Sequence, residues 1–460
     1  MTENAEMTEN KMGVMPVKKL IISMSVPMMF SMLVQALYNI VDSVFVSWIS
    51  EEALTAVTVV FPIQNLMIAV GTGTGVGINA LLSRSLGEKN YKTADKAANS
   101  GLLLAVFSYL LFLLIGFTAV EPFVSSQTDS AQVRELGITY GTICCCCSIG
   151  VFFQITLERL LQSTGRTVFS MMSQLTGAII NSIMDPILIF GLFGAPKLGV
   201  AGAACATIFG QVVASCLGLF LNLKYNKDIH LSLSSILKPD KNVIKSIYAV
   251  GIPSILMVSV GSVMTYLLNL ILKPFSSTAT AVYGAYFKLQ SFFFMPVFGL
   301  NNGSIPVLAY NLGARKADRI KETLGFSVKL AFVIMTCGTI VFELIPTVLL
   351  GFFHASDNML RIGVPALRII AVHFPVAALS ISLGSVFQAF SKSGYSLIVS
   401  LCRQLVVLIP VAWLMSLTGV LDLVWISFPI AEIVSFILTI IFYKKVMKSV
   451  NAQISSDALL

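Results

Sequence analysis

Apolar residues in this chain fall in long unbroken stretches that do not alternate with polar ones. They lie at 20–48, 53–82, 96–118, 134–157, 167–192 and 198–223, then at 247–272, 278–309, 322–350, 361–388, 395–417 and 420–443. Each reaches roughly the 20 residues a helix needs to cross a bilayer. A membrane β-barrel would instead show shorter segments of alternating hydrophobicity. In lipid every backbone N–H and C=O must be paired within the protein, and a continuous apolar stretch does this as a helix. The pattern predicts an all-α polytopic membrane protein of about twelve transmembrane helices.

The second half repeats the first. Pro27 recurs as Pro253, Phe61 as Phe287, Gln64 as Gln290, Leu86-Gly87 as Leu312-Gly313 and Gln162 as Gln388, each 226 positions on; Gly199-Val200 recurs as Gly419-Val420, 220 on. Six spans per half is an even number, so both halves have the same orientation. A parallel repeat of this kind is a transporter architecture. The expected organisation is a six-helix lobe over 1–223, a basic cytoplasmic linker over 224–245 and a second six-helix lobe over 246–460.

Charge sets the orientation. Only 11% of residues are charged and 56% are hydrophobic, which excludes an ordinary soluble domain. The net charge of +8 comes from alternate loops: Arg84, Lys89, Lys92 and Lys96; Lys224, Lys227, Lys238, Lys241 and Lys245; Arg315, Lys316, Arg319 and Lys321. The loops at 50–53 and 121–132 contain no Lys or Arg. The positive-inside rule puts the basic loops and both termini in the cytoplasm, so the charge reports topology and not nucleic-acid binding. The polar leader MTENAEMTENKMGVMPVKK precedes an apolar run too long for a cleaved signal peptide, and is read as leading into a retained first helix. The eight cysteines all fall in apolar segments and imply neither a disulfide framework nor a zinc site.

Two carboxylates interrupt apolar runs: Asp42 in QALYNIVDSVFVSWI and Asp185 in NSIMDPILIF. An ionisable group inside a span costs roughly 2.5–3.5 kcal/mol on insertion scales and usually faces a cavity on an ion pathway. Both acids lie in the outer half of the first lobe, Asp42 some ~12 Å before the acidic loop at 1.5 Å per residue. The plainer reading makes them interfacial carboxylates at helix ends. Asn181, four residues before Asp185, shares its helix face, so carboxylate and amide oxygens can together hold Na⁺, or the carboxylate alone a proton. Pro186 frees the carbonyl of Ser182. GTGTGVG at 71–77 lacks the Lys-Ser/Thr of a phosphate loop and contains two overlapping GxxxG spacings suited to helix packing. In the second lobe, charges of mixed sign, among them Lys288, Arg403 and Glu432, suggest structural pairing of Lys288 or Arg403 with Glu432, with a substrate role as the alternative. Glu158, beside Arg159, reads as interfacial. There is no HExxH, GxSxG or Walker motif, so no enzyme or ATP-driven pump is indicated.

Ordered along the chain, SVPMMFSMLVQALYNIVDSVFV, LLSRSLGEKN, ERLLQSTGR, NSIMDPILIFG, GVAGAACATIFGQ, GIPSIL, IPVLAYNLGARK, FQAFSKSG and SLCRQLVVLIPV resemble the multidrug and toxic compound extrusion family, in its bacterial MepA-like branch. The resemblance implies export of small-molecule drugs by alternating access, in antiport with H⁺ or Na⁺ and with no other cofactor. It also implies a monomer embedded in the lipid of the cell membrane, and a coupling site at Asp42, Asn181, Asp185 and Thr207. Another branch uses acids in the seventh and tenth spans, whereas MVSVGSVMTYLLNLIL and HFPVAALSISLGSVF here have none. A lipid-linked precursor flippase of the same superfamily is the main alternative; a non-transporting sensor or scaffold would need a soluble domain larger than the 224–245 linker.

The topology yields a direct test. Single cysteines introduced at 121–132 should react with an impermeant reagent outside intact cells, and those at 84–96, 224–245 and 313–321 should not. External labelling within 224–245 would overturn the twelve-span topology.

Overall fold

The computed structural model describes residues 10–353 and 355–456, with side chains through Ala452; the leader at 1–9 and the end at 457–460 lie outside the described residues. Among the described residues every regular element is helical. Ten helices are long and apolar enough to cross a membrane: α1 (Val17–Ser47), α2 (Glu51–Gly87), α3 (Tyr91–Thr118), α5 (Thr167–Phe190), α6 (Val200–Tyr225), α7 (Lys241–Leu272), α8 (Ser277–Gly313), α9 (Ala317–Leu344), α11 (Ser393–Ser416) and α12 (Leu421–Ala452). Two more spans are bent pairs, α4 (Ala131–Cys146 with Ile149–Ser163, 46°) and α10 (Asp357–Ala371 with Phe374–Ala389, 45°).

The repeat extends to the backbone. Ser50 and Ser276 cap α2 and α8, each in extended conformation, with the hydroxyl accepting from the N–H of Ala53 at 3.1 Å and of Ala279 at 3.0 Å. A serine there accepts an N–H that the first helical turn cannot pair. Left-handed residues also recur: Lys89 with Arg315, Gly165 with Ser391, Gly199 with Gly419. The two bends fall in the same span of each lobe.

Three expectations shift. The ninth span was read as 322–350, but α9 stops at Leu344 and a separate short helix, Pro346–Gly351, follows. Proline has no N–H and disfavours helical conformation in the residue before it, so Ile345 breaks the helix and Pro346 starts a new one. The bend in α4 had no proline to announce it, whereas that in α10 falls just before Pro375, in the first turn of its second half. The linker is shorter than 224–245, because α6 runs to Tyr225 and α7 starts at Lys241. It lies against α3: the N–H of His230 donates to Asp95 at 2.7 Å, Asn99 donates to the His230 carbonyl at 2.9 Å, and Lys96 meets Asp240 at 2.7 Å. The Lys96 hydrogen bond holds the Asp240 carboxyl below its ordinary range.

The lobes meet where α1 packs on α8 and α2 on α7 and α8. Glycine makes this possible. The two GxxxG spacings of 71–77 face different helices. A Cβ on Gly71 or Gly75 would strike Phe152, Ile155 or Arg159 of α4, while one on Gly73 or Gly77 would strike Ile255 or the Ile247 carbonyl of α7. The related pair Gly87 and Gly313 lets α2 and α8 cross, each glycine lying against a backbone carbonyl of the other helix, Tyr310 and Arg84. Gly299 and Gly303 admit Met29 and Ser25 of α1.

All these contacts lie in the halves of the spans nearest the basic loops, the side the charge pattern assigns to the cytoplasm. In the inner half of α1 one exposed stripe recurs every fourth residue, Lys18, Ile22, Val26 and Phe30; in the outer half a second joins it, with Leu37, Val41, Val44 and Trp48 on one side and Asn39, Ile40, Ser43 and Ser47 on the other. The helix has lost its partner there. The outermost hydrogen bond between the lobes joins Asn65 to Ser262 at 2.9 Å. The lobes are zipped inside and parted outside, an outward-open arrangement.

A side chain at Gly77 must push apart two helices that touch through backbone. Gly77→Val should therefore lower the melting temperature of the purified protein, overpacking costing about 1–3 kcal/mol. Gly325→Ala, where nothing lies within 4 Å, should leave it unchanged or raise it. Equal melting temperatures for Gly77→Val and wild type would refute the glycine seam.

Candidate cation-coupling site

Three helices of the first lobe build the site. Helices α5 and α6 approach closely because Gly177 and Gly210 face each other, a Cβ on either meeting backbone of the other. One turn outward from Gly177, the Asn181 amide donates to the Thr207 hydroxyl at 3.1 Å. One turn further, Asp185 is wholly buried and Asn181 is 2% exposed. From α1, Tyr38 and Asp42 project one turn apart; Tyr38 lies beside Thr207 and within electrostatic reach of both carboxylates. Asp185 and Asp42 are within reach of each other. The structure thus gathers Asp42, Asn181, Asp185 and Thr207 from three helices, and Asp185 is no interfacial carboxylate.

The polar atoms there are under-bonded. Both oxygens of Asp185, one of Asp42 and the side-chain oxygen of Asn181 are buried and find no hydrogen-bond donor among the described residues. Neither acid has a Lys or Arg partner there. Native proteins rarely leave buried acceptors unpaired. Four such oxygens, without a nitrogen or sulfur ligand among them, suit a hard monovalent cation or a proton. The donor set fits such a substrate.

Sequence reasoning missed part of this surround. Tyr38 had a signal, standing four residues before Asp42. Tyr140, 2% exposed, and Gln64, which donates to its hydroxyl at 3.1 Å, had none. Glu158, read as interfacial, is 8% exposed, and its neighbour Arg159 7%. Arg159 donates to Gln162 at 2.9 Å and, across the lobe seam, to Asn302 at 3.2 Å. Two packed lobes bury what a single helix end would expose.

In the second lobe Arg403 meets Glu432 at 3.4 Å, with the Glu432 side chain 4% exposed. Lys288 is exposed and does not join them. Arg403 is the second residue of a π-helical segment, Cys402–Leu408, in α11.

The comparisons agree with this architecture. The MatE family profile matches residues 27–187 and 253–414, most of each lobe. The chain belongs to the MatE family. It is 29% identical over 413 residues to the multidrug export protein MepA of Staphylococcus saprophyticus, covering 89% of each chain. It is 25% identical over 452 residues to the FAD transporter of Shewanella oneidensis, covering 96% of this chain and 98% of that one. Among solved structures, an outward-facing multidrug resistance MATE family transporter superposes with a TM-score of 0.91 at 25% identity, covering 97% and 99%. As a MatE transporter the chain is a multi-pass membrane protein, and its relatives are transporters, not enzymes.

The Arg403–Glu432 pair makes a stability prediction. Removing one partner of a largely buried pair costs about 3–5 kcal/mol at full burial, and less here because Arg403 is partly exposed. Glu432→Gln should lower thermal stability while uphill transport per folded molecule stays at the wild-type rate. A stable Glu432→Gln protein that binds drug without transporting it would make Glu432 part of the cycle.

Proposed function

We propose that the protein is a secondary active multidrug exporter of the cell membrane, with both termini cytoplasmic, exchanging amphipathic, often cationic, small molecules for H⁺ or Na⁺ by alternating access. One observation carries this reading: four buried oxygens at Asp42, Asn181 and Asp185 lack protein donors, in the half of the lobe that parts to the outside. With the lobes open outward, a cation from outside reaches the carboxylates. Binding neutralises charge and supplies the missing bonds, which changes the packing of α1 against α5 and α6. Helix α1 contains Pro27, whose missing N–H weakens its backbone hydrogen-bond ladder, so two packings of the helix are close in energy. The packing favoured by the bound cation narrows the first-lobe cavity and expels drug. The names of the MepA relatives support drugs as the substrate class.

The FAD transporter relative supports a second substrate reading, an anionic dinucleotide. Two carboxylates without a basic partner in the first lobe weigh against it, since they would repel that ligand.

The test is ethidium accumulation in inside-out vesicles under an imposed pH gradient, then an imposed Na⁺ gradient, with FAD as a parallel cargo. Asp42→Asn and Asp185→Asn should each insert normally and lose gradient-driven efflux. Asn181→Ala and Thr207→Ala should be milder, about two- to tenfold, the worth of one neutral hydrogen bond. A well-expressed double Asn variant that pumps ethidium uphill at the wild-type rate would sink the mechanism. Uphill movement of FAD but not ethidium would replace the substrate class.

A further inference from the structure

Seven residues ahead of α1 join the two lobes on the cytoplasmic side. The one-turn helix Lys11–Val14 is capped by Asn10, whose side chain accepts from the Met12 N–H at 3.0 Å. The same side chain donates to the Thr164 carbonyl at 3.1 Å and to Asp228 at 3.4 Å, tying the segment to the first lobe and the linker. The loop at Thr164 passes close beneath because Gly165 is left-handed. Met12 is fully buried, in a core cluster shared with Leu82 and Leu160 of the first lobe and Val307 of the second.

On the other side the partners all belong to the second lobe. A one-turn helix leaves its last carbonyls without partners inside the helix, and here α8 and α9 supply donors. Asn311 donates to the Met12 carbonyl at 3.1 Å, Arg319 donates to the same carbonyl at 3.1 Å and to that of Met15 at 2.8 Å, and Lys316 donates to that of Gly13 at 2.9 Å. Arg319 is held in place by a further bond to Asn311 at 3.1 Å. Two of the three donors are charged, and charge-assisted hydrogen bonds are the stronger kind.

These bonds exist only while the cytoplasmic seam is closed, so their free energy counts toward the outward-open state alone. We propose that residues 10–16 are a cytoplasmic latch and that Asn311 and Arg319 are positioning residues of the transport cycle. They hold the inner seam shut, and so set how much of the protein stands outward-open when no drug or ion gradient acts. The inference rests on the alternating-access reading above.

A reporter for the seam is Ser25→Cys. Ser25 is fully buried between α1 and α8, and its hydroxyl donates to the Leu300 carbonyl at 3.2 Å. Its thiol should be reached by a maleimide only when the seam opens, and peptide mass spectrometry separates it from the native cysteines. In the purified full-length protein, without drug or gradient, Arg319→Gln should raise the labelling rate about tenfold, the factor for about 1.4 kcal/mol, within what one charge-assisted bond contributes. Arg319→Lys should recover part of the difference. Lys321→Gln, which removes an exposed charge from the same helix, should change nothing.

A second arm covers the case in which Arg319→Gln does not fold. Met12→Cys with Asn311→Cys, bridged by a short bis-methanethiosulfonate that forms a disulfide with each thiol and releases methanesulfinate, should stop uphill efflux, and reduction should restore it. Bridged protein that pumps at the reduced rate overturns the latch. So does flat Ser25→Cys labelling in Arg319→Gln when the same probe in otherwise wild-type protein rises on adding ethidium and an ion gradient, and that result leaves alternating access standing. Labelling flat under every condition overturns both.

Discussion

Asp185 holds its carboxylate out of solvent, and neither oxygen accepts a hydrogen bond from the described protein. Such a group is costly in lipid or in a packed lobe unless a cation or proton joins it. The rest of the first lobe is arranged around it: glycines bring α5 and α6 close enough for Asn181 to reach Thr207, and α1 carries Asp42 and Tyr38 to the same place. A site satisfied by its own side chains would have no need of an exchangeable ion. This one leaves four oxygens unpaired among the described residues, which is what the proposed exchange of a cation with the outside requires.

The second lobe treats charge differently. Its last two spans hold Arg403 against Glu432, a cation already built into the chain. The repeat therefore conserves architecture while the chemistry diverges. The second lobe pairs its buried carboxylate with an arginine, and the first gives Asp185 no basic partner among the described residues.

The seam decides which side of the membrane sees the site. It closes where glycines let backbones touch, from Gly73 to Gly87 on α2 and from Gly299 to Gly313 on α8, and the segment ahead of α1 lies across its cytoplasmic edge. The outer halves have few such approaches. Opening inward would have to break glycine-close packing and the bonds to residues 10–16 together, while opening outward breaks neither. Inner and outer access are therefore separated by a packed layer and not by a single side chain.

The twelve spans and the repeat were legible in the sequence because lipid allows so few solutions: an apolar run of sufficient length must be a helix. The acids of the proposed coupling site stand out for a related reason, since Asp42 and Asp185 are alone against apolar flanks and Asn181 follows the helical period. Other features depend on where helices cross, which no local pattern encodes. The two GxxxG spacings of 71–77 were visible, but that one faces α4 and the other α7 was not. Glu158 reads as interfacial from its place at a helix end, yet in the fold it is buried. Lys288 and Arg403 were equal candidates for Glu432 until α11 and α12 packed together. Tyr140, the α4 bend and the outward-open state all came from packing between segments far apart in the chain. Hydrophobic period and charge placement fix each helix in the bilayer, but only close packing between helices decides which buried polar atoms are satisfied and which are left for an ion.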